Sequence, residues 1–220
     1  ISTTSNEDGY FVLTAVPVGE TLVQIYRAGY MSTFRIADVS ATAATHFADI
    51  VLVQIETATV DAATGGEVTT NDGDGAVDFE ANSFVTGAGA AYTGPVTVEF
   101  NAMTTDDEDF YGSFPGEFAG IREDGSEVPL VSYGFMSVEL TGANKAPLSL
   151  ADGSTAALSL TIDPSKAADA PATIPMWYYD EVDGVWREEG EATLAGNTYT
   201  ADVGHFSTWN WDVPITDICS

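Results

Sequence analysis

Apolar positions along the chain come in short runs. Many alternate with polar residues or are rich in β-branched side chains, and Gly, Pro, Asn and Asp separate them. Tyr10 to Val16 (YFVLTAV) lies between Asp8-Gly9 and Pro17-Val18-Gly19, Thr21 to Tyr26 (TLVQIY) ends at Ala28-Gly29, and residues 48–60 (ADIVLVQIETATV) form a longer stretch. Pro95 to Ala102 (PVTVEFNA) alternates cleanly, and further runs fall at 128–141, 147–151, 155–162, 174–180, 185–189, 192–195 and 198–203. A period of two with turn residues at this spacing predicts strands of an all-β sandwich or barrel rather than βαβ units. Helical pattern is confined to Ala41–His46 and to Ser165–Ala170, which follows Pro164.

The pattern weakens over residues 61–75 (DAATGGEVTTNDGDG), where Gly65-Gly66 and Asp72-Gly73-Asp74-Gly75 allow positive φ cheaply. This divides the chain into a unit at 1–60, a linker at 61–75 and a larger unit at 76–220, with no repeat of fixed period. The expected architecture is two β-sandwich-like modules.

Charge narrows the partners. Asp and Glu number 34 against 6 Lys and Arg, a formal charge of −28. Nucleic acid needs a basic footprint and is excluded as an electrostatic partner, and anionic lipid is disfavoured for the same reason. No apolar run approaches the roughly 18 residues of a spanning helix. The hydrophobic fraction of 45%, with 11% aromatic residues, is enough for a core, so disorder is not expected. Unpaired carboxylates repel one another and are best tolerated where salt or cations screen them. A saline or calcium-rich exterior is therefore expected. Cys219 is the only cysteine and His46 and His205 the only histidines, which leaves little for a transition-metal site.

Two stretches resemble known domains. Asp8, Gly9, Phe11, Val16, Pro17, Gly19, Gly29 and Tyr30 follow a D-G-x-F … V-P-x-G … G-Y order. This resembles the carboxypeptidase-regulatory-like domain, a transthyretin-type β-sandwich common in bacterial surface proteins. The resemblance implies a non-catalytic spacer or adhesion unit. That family opens with a strand some way before the D-G-x-F turn, so the unit is expected to be incomplete. Either the chain is a processed or partial stretch of a longer one, or a strand from a neighbouring copy completes the unit, in which case head-to-tail addition would build filaments.

From Gly65 onward, the segments Val77–Phe84, Tyr92–Val98, Phe114-Pro115-Gly116, Leu130–Gly134, Ile174–Asp180, Gly184–Gly190 and His205–Asn210 resemble a ZU-five/UPA-like β-domain. They are similar to segments of cartilage intermediate layer protein and of large secreted proteins of marine bacteria, and this resemblance implies a secreted or cell-surface place in a bacterial, marine or saline setting. This resemblance implies a domain used for protein contacts.

His205-Phe206-Ser207 spells possible chemistry, because in some tandems of this class His-Phe-Ser is a self-cleavage site. The resemblance implies an N→O acyl shift in which Ser207 Oγ attacks the Phe206 carbonyl, His205 serves as base or orienting group, and water resolves the ester. The alternative is structural: on a strand His205 and Ser207 share one face, Trp209 and Trp211 continue it, and Phe206 points to the core.

Asp72, Asp74 and Asp78 alternate as calcium ligands do, although Asn82 stands where an EF-hand places its bidentate Glu. Thr105-Asp106-Asp107-Glu108-Asp109 is a second acidic run, expected as a solvated loop. Trp177, Tyr178, Tyr179 and Trp186 could form a glycan platform, although alternation sends at least one of them inward. No nucleophile elbow or zincin helix is present. The sequence thus favours a non-enzymatic structural, adhesion or assembly module that meets other protein chains or copies of itself. A self-cleaving domain and a calcium- or glycan-binding adhesin are the alternatives.

Overall fold

The structure is a computed structural model and describes residues 1–215, so Cys219 lies outside the described residues. The fold is all-β. Strands β1 (Gly19–Ile25) and β2 (Thr33–Val39) form an antiparallel hairpin. Then come β3 (Glu56–Asp61), β4 (Gly66–Thr69), β5 (Gly75–Phe79), β6 (Phe84–Thr86) and β7 (Pro95–Thr104). The helical turn α1 (Phe110–Ser113) leads to β8 (Ala119–Ile121), the long β9 (Glu127–Thr141), β10 (Leu148–Leu150) and β11 (Ala156–Thr161). A second turn, α2 (Pro164–Ala167), precedes β12 (Thr173–Asp180), β13 (Val185–Ala195), β14 (Thr198–Val203) and β15 (Thr208–Pro214).

One ladder runs β3-β7-β9-β15-β12-β13-β14-β11-β5-β4, with β8 bridging β9 and β13, while β6 and β10 pair apart. Its two ends are consecutive in sequence and meet at the Asp61–Gly65 bridge. The ladder therefore folds back on itself in a sandwich-like arrangement. The core inside takes Val98 and Phe100 from β7, Met136 and Val138 from β9, Leu158 and Leu160 from β11, and Trp209 and Trp211 from β15.

Residues 61–75, expected as a linker, contain β4 and bury Ala62, Val68 and Thr70 in this body. The glycines serve a tight turn there rather than a spacer. Gly65 has φ 64°, and a Cβ at that position would stand 2.0 Å from the Phe79 carbonyl oxygen, so the approach of the two chain segments requires glycine.

A second core lies on the outer face. Phe34, Phe110, Phe114, Phe135, Trp177, Tyr179 and Trp186 pack there, with Leu22 of β1 against them. Strand β12 is buried on both sides, since Ile174 and Met176 face the inner core and Trp177 and Tyr179 the outer one. The described residues 1–55 form the β1–β2 hairpin laid on this outer core, plus a single bridge between Tyr30 and Gln54. Tyr10–Val16 has the alternation of a strand but no partner strand among the described residues.

Candidate functional site

His205-Phe206-Ser207 is not on a strand but in the turn between β14 and β15. Phe206 packs against the inner core, its ring 5.7 Å from that of Phe79. The His205 ring stands edge-on to Tyr178 at 4.9 Å and lies 5.0 Å from Trp209, with Nε2 3.4 Å from a Glu189 carboxylate oxygen. The His205 carbonyl accepts the Trp209 indole N–H at 3.2 Å. Ser207 Oγ donates at 3.2 Å to the Thr208 carbonyl, on the opposite side from the Phe206–Ser207 bond. Among the described hydrogen bonds none joins His205 to Ser207, and neither residue has positive φ.

The turn forms one wall of a groove of roughly 200 Å³. Ser207, Thr208, Ser137, Glu139 and Glu181 line it, with Met31 from the segment before β2. Glu139 and Glu181 are exposed residues, yet the walls desolvate both carboxyls and push their pKa values up. Glu99, directly opposite Glu139 across β7 and β9, adds to the effect on Glu139, and Glu139 adds to that on Glu181. Sequence patterning did not single out these two acids among 34. The groove offers acceptors and hydroxyls but no assembled nucleophile–base pair.

Behind it runs a buried polar stripe. On β15, Thr208, Asn210 and Asp212 share the face opposite Trp209 and Trp211, and all three are buried. Thr208 shares a hydrogen bond of 2.6 Å with Ser137. Ser132 donates to Asn210 Oδ1 at 2.9 Å, and Asn210 Nδ2 donates to Asp212 Oδ2 at 2.5 Å. The other Asp212 oxygen has no partner. Burial pushes this carboxyl from an ordinary 3.8 up to about 7, against a smaller pull downward from Ser132 and Asn210. A polar residue between two inward tryptophans (Trp209-Asn210-Trp211-Asp212) is the sequence signal that could have found it.

The calcium candidates are not gathered. Asp72 Oδ1 accepts from the Thr70 hydroxyl and the Asp74 N–H, closing a local turn. Asp78 lies along β5, in register with Glu67 and Ala157. Among the described residues no group of three or more His, Cys, Asp or Glu is placed to hold a metal ion. Burial, and after it the charges of Asp72, Asp107 and Asp106, instead raise the pKa of the Asp74 carboxyl. Lys166 answers this acidic corner, bonding Thr105 Oγ1 and standing 3.6 Å from Asp106. The pair is largely exposed, so Lys166→Met should lower stability by only about 0.5 kcal/mol at low salt. Urea titration checks this, and the difference should vanish at about 1 M salt.

Trp177, Tyr179 and Trp186 are fully buried and Tyr178 half-buried, so these aromatics present no platform to a sugar. No protein-family model, curated protein or solved structure matches the chain.

Proposed function

We propose that this chain is an extracellular structural module that assembles with other protein chains, its own copies first, through the N-terminal unit. The observation that carries this is where exposed apolar side chains fall. Of nine exposed large apolar side chains among the described residues, five (Ile1, Tyr10, Val12, Val18 and Tyr26) fall within the first 26 residues, and the other four, Tyr111, Val131, Val182 and Ile215, are scattered along the rest. Scattered exposed apolar residues need no explanation, but a cluster of them favours a binding surface.

Charge points the same way. Residues 1–55 carry five acids and two bases, a net −3, whereas the remainder carries −25. Association through the N-terminal unit thus brings together the least repulsive part of each molecule. The acid-rich remainder suits a saline exterior, where counterions screen it.

Sedimentation velocity of the full chain tests the reading. The sedimenting mass should exceed 23.1 kDa and grow with ionic strength. A Tyr10→Glu/Tyr26→Glu variant should reduce that growth. A particle of 23.1 kDa at every salt and protein concentration overturns the proposal.

A further inference from the structure

The hydrogen-bond phase of the β1–β2 hairpin identifies an open edge. In an antiparallel pair, residues alternate between bonding across the pair and pointing their N–H and C=O outward. On β2 the Phe34 carbonyl accepts from Gly116 N, and the Asp38 carbonyl accepts from the Thr45 hydroxyl. The even-numbered residues of β2 therefore face outward, and that edge is partly covered by its own chain. Their register partners on β1 are Gln24, opposite Phe34, then Leu22 and Glu20. These three face outward too, and no described backbone group bonds them. The outer edge of β1 is a ready template for one more strand.

The same chain carries a strand without a sheet. Phe11 to Val16 make no backbone hydrogen bond to any described residue. Phe11 and Leu13 are half-buried, Tyr10 and Val12 exposed, which is the two-sided pattern of a sheet strand.

Strand and edge are separated by only Pro17-Val18. A two-residue hairpin uses type I′ or II′ turns, with positive φ at the first central residue. Pro17 is locked near −65° and cannot supply it. Ala15, at φ 57°, also bends the segment before the turn. The segment is thus prevented from folding back tightly onto its own β1, although it is next to it in sequence.

We infer that Phe11–Val16 of one copy adds as a strand to the β1 edge of a second copy. This rests on the proposed assembly function and specifies its contact. Donor and acceptor are different surfaces, so the contact is head-to-tail and extends into an open chain of subunits. The acid-rich bodies repel, so the chain lengthens as salt screens them.

Two proline variants of the full chain, alone and mixed, test this. Val12→Pro spoils the donor and keeps the edge. Glu20→Pro removes an outward N–H at the exposed start of β1 and keeps the donor. Each alone should associate at least about tenfold more weakly than the parent. An equimolar mixture should form a heterodimer and nothing larger, because only one productive contact remains. A peptide of residues 6–16 should bind the Val12→Pro chain and shorten parent assemblies. Far-UV circular dichroism of each variant confirms that the body is folded. If both variants assemble like the parent, strand donation is overturned while assembly through another surface stands. If the parent itself never assembles, both fall.

Discussion

Asp212→Asn is expected to be more stable than the parent by about 4 kcal/mol at pH near 8, with the gap shrinking to about 1–2 kcal/mol near pH 5. The buried carboxyl of Asp212 holds its proton up to about 7, whereas the ordinary value is 3.8. Folding therefore takes up a proton between these values, and a raised carboxyl pKa means stability falls as pH rises from about 4 to about 7. Above that range the folded protein holds a charge in an apolar setting with one oxygen unpartnered. Asparagine keeps the shape, removes the charge and can still meet Asn210 and Ser132. Urea unfolding followed by far-UV circular dichroism across this range gives the difference directly. Comparing the two chains cancels the remaining acids, which shift both alike. A variant less stable at pH near 8, or a gap independent of pH, contradicts the assignment.

Arg35→Met should release the β1–β2 hairpin from the body, at a cost of about 2–3 kcal/mol to that docking. The Arg35 guanidinium donates to the carbonyls of Phe34, Gly112 and Phe114 and to the Thr33 hydroxyl, joining β2 to the end of α1. No carboxylate pairs with it among the described residues, and burial lowers its pKa. Methionine preserves the apolar stem but leaves the Phe114 carbonyl without its donor, while the Gly112 and Phe34 carbonyls keep backbone partners. The fork geometry matters, so Arg35→Lys should recover less than half of the loss. Amide hydrogen exchange localises the effect. Residues 19–39 should lose protection while β7 and β9 keep theirs. Uniform loss of protection would show that the hairpin and body unfold as one.

How much of this was legible beforehand depends on how many faces of a strand are buried. Residues 95–102, 155–162 and 198–203 each bury one face, alternate visibly, and are β7, β11 and β14. The runs at 185–189 and 192–195 are two parts of one long β13. Strand β2 escaped because Arg35 interrupts its apolar run, yet that arginine is the polar anchor of the hairpin. Strands β4 and β5 were hidden by Gly and Asp that serve tight turns. Tyr10–Val16 shows the opposite failure, a strand pattern without a sheet within the described chain. Ala41–His46 is a bend rather than a helix, and Ser165–Ala170 is in part α2.

The candidate site was less legible than the fold. His205, Phe206 and Ser207 were named from a motif, and their turn and the groove beside it depend on Glu139 and Glu181, which are distant in sequence. Asp72 and Asp74 share a turn because they are neighbours, whereas Asp78 is carried away by β5. Asp212 was missed because an acidic residue near the end of a strand reads as surface until the partners on both sides are known.

The place of β15 in the ladder has a consequence for biogenesis. The last described strand to be synthesised lies between β9 and β12 near the middle of the order. Until Thr208–Pro214 arrives, the flanks on either side are joined through the short β8 and the tight turn between β3 and β4. A nascent polypeptide cannot seal its interior early, and non-local pairing of this kind closes slowly. Sealing of the inner core therefore waits on Thr208–Pro214, and until this strand pairs, Trp209 and Trp211 are missing from it.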